Sequence, residues 1–327
     1  MPKVLLLEAP PLFIKSQDIE AMVPTSHLLL GSPLKRKGID VEILHLSSQI
    51  KDIPQTIEDL PPFYDQLVRI FKIYEDVQVV GISAYTSYSF LAAGVMGWAL
   101  REALPTAAIF VGGYAVSTMP HLIEQPNMPF DFFLIGEGDV IFSQMVEKII
   151  NRKIELKRGG FIGTFPQKVI GTETKDLRDI GLIDWDILNG SPILRSPFLS
   201  VPYYASRSCP FQCKFCTDVS NFSEYGFEKR WRPMPIDKVM EDLENLHAYF
   251  GKREIRIIFE DPVFGLDKRW KAEMLTRLTQ TAQNWDKRGF GLEDRVDQMR
   301  EADCIAYSKL DSRSEEHTSE LQSRQVI

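Results

Sequence analysis

Five short apolar runs, interleaved with helical patterns, limit what the N-terminal half of this chain can become. They are residues 3–7, Val41–Leu46, Val77–Ser83, Ala107–Val111 and Phe130–Ile135. A strand with one wet face alternates apolar and polar residues, whereas near-continuous apolar runs suit strands buried on both faces. Helical segments follow at Leu28–Leu34 (running through a basic turn to Gly38), Phe63–Tyr74, Ser89–Leu104 and Val140–Ile150. Alternation of this kind predicts an α/β fold, a doubly wound parallel sheet covered on both sides by helices. Ligands of such sheets bind beyond the carboxyl ends of the strands. The residues there are Ser83 and Thr86 after the third run, Gly112 and Gly113 after the fourth, and Gly136, Glu137 and Gly138 after the fifth. Glycines let a backbone approach a ligand closely, and hydroxyls at helix starts bind polar groups. Each of these signals, taken singly, is explained as well by a turn.

The second constraint is a cluster of thiols. Cys209, Cys213 and Cys216 stand in Ser-Arg-Ser-Cys-Pro-Phe-Gln-Cys-Lys-Phe-Cys-Thr-Asp, and Cys304 is the one other cysteine of the chain. Three thiolates on one short loop suit three irons of a four-iron, four-sulfur cluster and leave the fourth iron open to a small molecule. A structural zinc site is the alternative, but it asks for four ligands, and no histidine lies close to the loop. An odd number of close thiols without an export signal argues against disulfides and for a reducing cytoplasm. No apolar run reaches membrane-spanning length. The net charge of −7 disfavours broad nucleic-acid binding.

The Cys-x-x-x-Cys-x-x-Cys spacing, Pro210 after the first cysteine and Phe215 before the last resemble the radical S-adenosylmethionine superfamily. The resemblance implies that Cys209, Cys213 and Cys216 ligate a 4Fe-4S cluster and that Phe215 packs beside the adenine of S-adenosylmethionine. In that family the open iron chelates the amino and carboxylate groups of the cosubstrate. One electron then cleaves it to methionine and a 5′-deoxyadenosyl radical. The strand-end residues, in their order along the chain, resemble the cobalamin-binding domain that precedes many such barrels. On that likeness Ser83, Thr86, Gly112, Gly113, Gly136, Glu137 and Gly138 surround cobalamin. The Asp-x-His-x-x-Gly motif is absent, and His27, His45 and His121 read as polar-loop or half-buried side chains. Cobalt is therefore expected to lack a histidine ligand.

These readings predict a cobalamin-binding-like Rossmann domain over 1–150, a linker with a hairpin over 151–197, and the opening of a radical S-adenosylmethionine (β/α) barrel over 198–312. In the barrel part, Phe198–Ala205, Ile255–Phe259 and Phe290–Leu292 read as strands, with Cys304–Tyr307 starting a fourth. Pro235–Phe250 and Arg269–Gln283 read as the helices between them, and Cys304 as a small core residue. By resemblance, Glu260 and Asp261 at the second strand end meet the cosubstrate's amino group, and Arg295 meets its carboxylate or the substrate. A solvated or capping carboxylate and a surface ion pair are the plainer alternatives. Residues 313–327 resemble the in-frame translation of a sequencing adapter and read as an artefactual tail. An incomplete barrel is expected to be inactive by itself. The function implied is methyl transfer or rearrangement on a small molecule, fed by an electron donor such as flavodoxin or ferredoxin. A non-catalytic cobalamin or metal sensor, or a zinc-binding module, is the alternative.

Overall fold

The computed structural model describes residues 3–13, 22–50, 52–154, 156, 166–211, 213, 216, 225, 227, 228, 230–282, 289–292 and 294–310. They divide into two units. The first holds Pro24–Arg195, the strand before it and Cys209–Arg230; the second holds Ser196–Ser208 and the chain from Trp231 onward.

The first unit runs β1 (Lys3–Glu8), α1 (Thr25–Arg36), β2 (Asp40–Leu44), α2 (Leu60–Phe71), β3 (Val77–Ser83) and α3 (Ser87–Ala103). It continues through β4 (Ala108–Gly112), the short α4 (Tyr114–Thr118) and α5 (Pro120–Ile123), then β5 (Phe132–Ile135), α6 (Ile141–Ile150) and β6 (Gln167–Ile170). The strands form one sheet in the order β2-β1-β3-β4-β5-β6, and every neighbouring pair is parallel. Successive side chains of a strand point to opposite faces. Leu5, Leu7, Val80, Ile82, Ile109, Val111, Phe133 and Ile135 join the core with Phe63, Leu67 and Phe71 of α2 and Phe90, Met96 and Leu100 of α3. The other face lies under α1 and α6: Gly31 approaches Leu6 and Val41, Gly81 approaches Leu6 and Phe142, and Phe110 meets Phe142 edge-on. Buried Asp131 accepts from Arg101 of α3 and from the Ile109 amide, tying α3 to the start of β5.

Residues 167–170 correct the hairpin expected in the linker. They form a sixth parallel strand, paired with β5 from Phe132↔Gln167 to Ile135↔Ile170. The alternating half-buried, exposed pattern of β6 marks a sheet edge, which a search for continuous apolar runs passes over. Further on, the turn Trp185–Leu188 buries Trp185 and Leu188 within this unit, and Asp184 pairs with Lys35 of α1 at 3.1 Å.

The second unit holds β7 (Leu199–Tyr203), β8 (Ser206–Arg207), β9 (Arg232–Pro233), α7 (Ile236–Phe250), β10 (Ile255–Phe259), α8 (Lys268–Ala282), β11 (Gly289–Leu292) and α9 (Glu301–Lys309). Strands β7, β10 and β11 are parallel neighbours in that order, and β8 pairs antiparallel with β9. Tyr203 of β7 donates its hydroxyl to Asp242 of α7, which Lys238 also holds. Lys271 of α8 is fully buried between Asp294 and Asp303. That network explains a second correction. Residues 304–307, read as the start of a strand, lie in helix α9, because the Arg300 amide donates to Asp303 in a capping box while Asp303 faces Lys271. Cys304 then falls on the solvent side and is exposed, not a core residue.

Two glycines of α3 test how tightly this fold is packed. Alanine in a helix interior is favoured over glycine by about 1 kcal/mol, whereas overpacking costs about 1–3 kcal/mol. A Cβ at Gly97 would lie 2.5 Å from Pro129 Cγ and 2.9 Å from the Phe130 ring, while nothing lies within 4 Å of one at Gly94. Gly97→Ala should therefore lower the unfolding free energy by about 1–2 kcal/mol in urea titrations. Gly94→Ala should raise it by about 0.5–1 kcal/mol.

Candidate functional site

In the first unit the strand-end residues are held to one another by their own backbones. The Ala9 amide donates to Ser83 O, Ala84 to Gly112 O and Ala115 to Ala84 O, at 2.9, 2.9 and 3.1 Å. Gly113 has φ +97, and a Cβ there would lie 2.7 Å from Ala84 O, so the turns after β3 and β4 approach as only glycine allows. Ser117 of α4 links the next pair. Its hydroxyl donates to Gly113 O at 3.0 Å and accepts from the Gly136 amide at 2.9 Å. Nothing in the sequence marks Ser117; it becomes visible when α4 places it between two strand ends.

The remaining predicted residues have defined partners. Thr86 caps α3, its hydroxyl accepting from the Ser89 amide at 3.1 Å while its own amide donates to Ser89 Oγ. Glu137 accepts from the Thr174 amide at 3.0 Å. Gly138 leaves room for Leu134 and Leu30. Gly136, at φ +79, faces the Phe227 ring, whose nearest atom would lie 2.2 Å from an added Cβ. Tyr225 also packs on the first unit's core. Tyr225 and Phe227, downstream of the cysteines, thus rest on this unit near the carboxyl edge of its sheet. Beside it, Tyr85 (65% exposed) stacks on Tyr114 with ring centroids 5.5 Å apart.

Cys209, Cys213 and Cys216 are half-buried free thiols, and the Cys216 amide donates to Cys213 O at 3.0 Å. Ser208, immediately before them, has φ +63, a left-handed conformation that a non-glycine residue keeps only when its surroundings hold it. Phe215 lies outside the described residues. Among the described residues no three His, Cys, Asp or Glu side chains converge on a single ion. A cubane does not ask for convergence, since each thiolate takes a different iron, and three thiols within eight residues supply the donor chemistry it needs.

In the second unit, Glu260 and Asp261 follow β10 but differ in setting. Glu260 is half-buried and accepts from the Tyr204 hydroxyl at 3.3 Å. Asp261 is fully buried and accepts from the Ala205 amide at 3.2 Å and from the Ser206 hydroxyl. Burial pushes its carboxyl up to about 7, against the pull of those hydrogen bonds. Arg295 is gripped by Asp297, through Nε at 3.1 Å and Nη2 at 2.9 Å.

Of the histidines, His27 differs from its sequence reading, while His45 is half-buried as read. His27 is 2% exposed, inside α1 rather than half-buried. Burial lowers its imidazole, and burial with His27 nearby pushes His45 down to about 4.

Residues 22–146 match the family described as B12 binding domain. Two curated proteins are similar. One is an uncharacterized methyltransferase, PH0819, of Pyrococcus horikoshii, 25% identical over 82% of this chain and 58% of its own length. The other is the bacteriochlorophyllide d C-12(1)-methyltransferase of Chlorobaculum tepidum, 25% identical over 32% of this chain and 22% of its own. The chain therefore spans little more than half of the first relative's length. Among solved structures, the radical S-adenosylmethionine methyltransferase TsrM of Kitasatospora setae, with cobalamin and a 4Fe-4S cluster bound, shares the fold. Its TM-score is 0.65 at 14% identity, covering 96% of this chain and 58% of that one. Fold and family match together describe a B12-binding domain, on a six-stranded parallel sheet, followed by a second unit with three parallel strands. The chain thus carries a B12-binding domain match over residues 22–146 and shares its fold, at 14% identity, with a radical S-adenosylmethionine methyltransferase.

Two outcomes test this edge. Gly136→Ala should destabilise the first unit by about 1–3 kcal/mol, from a disfavoured φ and collision with Phe227. In a double-mutant cycle with Phe227→Ala, which by itself costs the buried ring, Gly136→Ala should destabilise less than it does in wild type, and the difference is the collision part. The second outcome concerns pH. His27 and His45 take up protons near 6.5 when unfolded but lower when folded. The unfolded state thus binds more protons as pH falls from about 6.5 to about 4, and stability is lost across that window. Asp261, raised from 3.8 to about 7, contributes the opposite slope in the second unit, so the readout must be local. Amide-exchange protection of α1, corrected for intrinsic rates, should fall over that window, and less so in His45→Gln.

Proposed function

We propose that the complete protein is a cobalamin-dependent radical S-adenosylmethionine methyltransferase acting on a small molecule. The observation that carries this reading is the conjunction, on one chain, of a B12-binding sheet edge and a three-thiol loop entered from a barrel strand. When bound, the cluster supplies a low-potential electron and an open iron, and cobalamin supplies a methyl carrier.

The chain's own residues have separable tasks in this scheme. Cys209, Cys213 and Cys216, as thiolates, hold three irons and leave one corner to the cosubstrate. Phe215 packs against its adenine. Glu260 accepts from its ammonium group, and Arg295, with Asp297 as its counter-ion, meets its carboxylate or the substrate. Ser83, Gly112, Gly113, Gly136, Glu137 and Gly138 line the cobalamin edge with backbone, and Thr86 holds the start of α3 beside it. No imidazole reaches cobalt in this reading, since His27 is committed to the core. An electron donor of the flavodoxin or ferredoxin kind serves the cluster. No helix among the described residues is long and apolar enough to cross a membrane.

Anaerobic reconstitution of the complete protein with iron and sulfide should give about four irons per chain and a brown chromophore. Under strong reductant it should cleave S-adenosylmethionine to methionine and 5′-deoxyadenosine, and it should retain added hydroxocobalamin through gel filtration. Replacing any one of the three cysteines with serine should lower iron content and abolish cleavage. One zinc per chain without iron would overturn the assignment in favour of a metal-binding module.

A further inference from the structure

The cysteine segment is an excursion with a narrow neck. The chain leaves through β8, Ser206–Arg207, and returns through β9, Arg232–Pro233, with Ser206 opposite Pro233 and Arg207 opposite Arg232. Two residue pairs are too few to hold so long a loop by themselves. One further ladder bond closes the neck, the Met234 amide donating to Ala205 O at 2.7 Å.

Side chains from the neighbouring elements clamp both limbs. On the returning limb, Trp270 of α8 donates its indole N–H to Met234 O at 2.9 Å, and its ring meets Trp231 edge-on at 5.5 Å. On the departing limb the clamp is Asp261. Its two carboxylate oxygens are both engaged, Oδ2 by the Ala205 amide and Oδ1 by the Ser206 hydroxyl, and neither Asp261 nor Ser206 is more than 1% exposed. Ser208, two residues on, takes its left-handed turn directly after this anchor, and Cys209 follows.

We infer that Asp261 is the positioning residue of the iron-sulfur loop, setting the direction in which the chain enters Cys209, rather than a contact to S-adenosylmethionine. A cosubstrate ammonium needs an acceptor that faces a cleft. Asp261 has both oxygens committed in the interior. Removing the carboxylate leaves the Ala205 amide and Ser206 hydroxyl buried without their acceptor, which loosens the neck. Asparagine has the same shape. It keeps an acceptor for Ala205 and offers Ser206 a donor.

The inference rests on the cluster reading above, and the experiment separates the two. Wild type, Asp261→Ala, Asp261→Asn and Ser206→Ala are reconstituted as full-length protein, and iron per chain is measured beside the EPR spectrum of the reduced cluster with and without S-adenosylmethionine. Asp261→Ala should hold less than half the wild-type iron. Asp261→Asn should load normally and keep the cosubstrate-induced spectral change. Ser206→Ala, which leaves only one of the two contacts to Asp261 unmade, should fold with a somewhat lower melting temperature and lose iron about twofold, which covers the case in which Asp261→Ala fails to fold. Full iron in Ser206→Ala and in any soluble Asp261→Ala protein would overturn the inference, as would a fully loaded Asp261→Asn that has lost the spectral change. If wild type itself takes up no cluster, the cluster reading fails. The neck is then tested by amide exchange alone, with protection at Ala205, Ser206 and Met234 expected to fall in Ser206→Ala and persist in Asp261→Asn.

Discussion

Burial of both faces of the six-stranded sheet is the constraint on which the rest depends. With α2 and α3 on one face and α1 and α6 on the other, water is shut out of the sheet interior. The in-plane N–H and C=O groups of the central strands are satisfied by parallel ladders with their neighbours. Parallel pairing brings all the carboxyl ends to one edge. The order β2-β1-β3-β4-β5-β6 reverses between β1 and β3, and that reversal opens a crevice at the same edge. The position of the site is thus a consequence of topology before any functional side chain is considered.

At that edge the glycines serve the protein's own closure as much as any ligand. Gly113 admits the Ala84 carbonyl, Gly136 admits the Phe227 ring, and Ser117 stitches the two turns together. Phe227 belongs to the same unit as the cysteines, and through it that stretch of chain touches the sheet edge. In the second unit, polar side chains do comparable work in the interior. Lys271 with Asp294 and Asp303, Tyr203 with Asp242, and Asp261 with Ser206 each satisfy a buried polar group that would otherwise be costly. None of these pairings is local enough to be read as a motif, apart from the four-residue spacing of Lys238 and Asp242.

Much of the architecture was legible because it is written in periodicity. Val77–Ser83 and Ile255–Phe259 are strands with the limits their apolar runs suggest, and Pro235–Phe250 differs from the observed helix by one residue. The misses have physical reasons. β6 is an edge strand with alternating exposure, so it lacks the apolar run that marks a buried one. Helix α9 begins at a capping box reinforced by a buried ion pair with Lys271, thirty-two positions before Asp303, and no local pattern reveals that partner. The three cysteines were legible as a candidate donor set because that reading rests on spacing alone. Site chemistry was hidden where it rests on contact, as in Ser117, Phe227 and the engaged carboxylate of Asp261.

The amino-acid sequence by itself determined most of the buried strands and helices and the parallel α/β class of the first unit, and it placed three thiols on one short loop, since each follows from residue type at short spacing. Only the tertiary structure decided which strand ends touch, that Gly136 is covered by an aromatic ring, and that Glu260 and Asp261, adjacent in the chain, have different fates. Alternation along and beyond a strand end sends neighbouring side chains to different surroundings, one half-buried and one wholly interior. What each meets there is set by elements distant in the chain, brought close by burial of the strands between them.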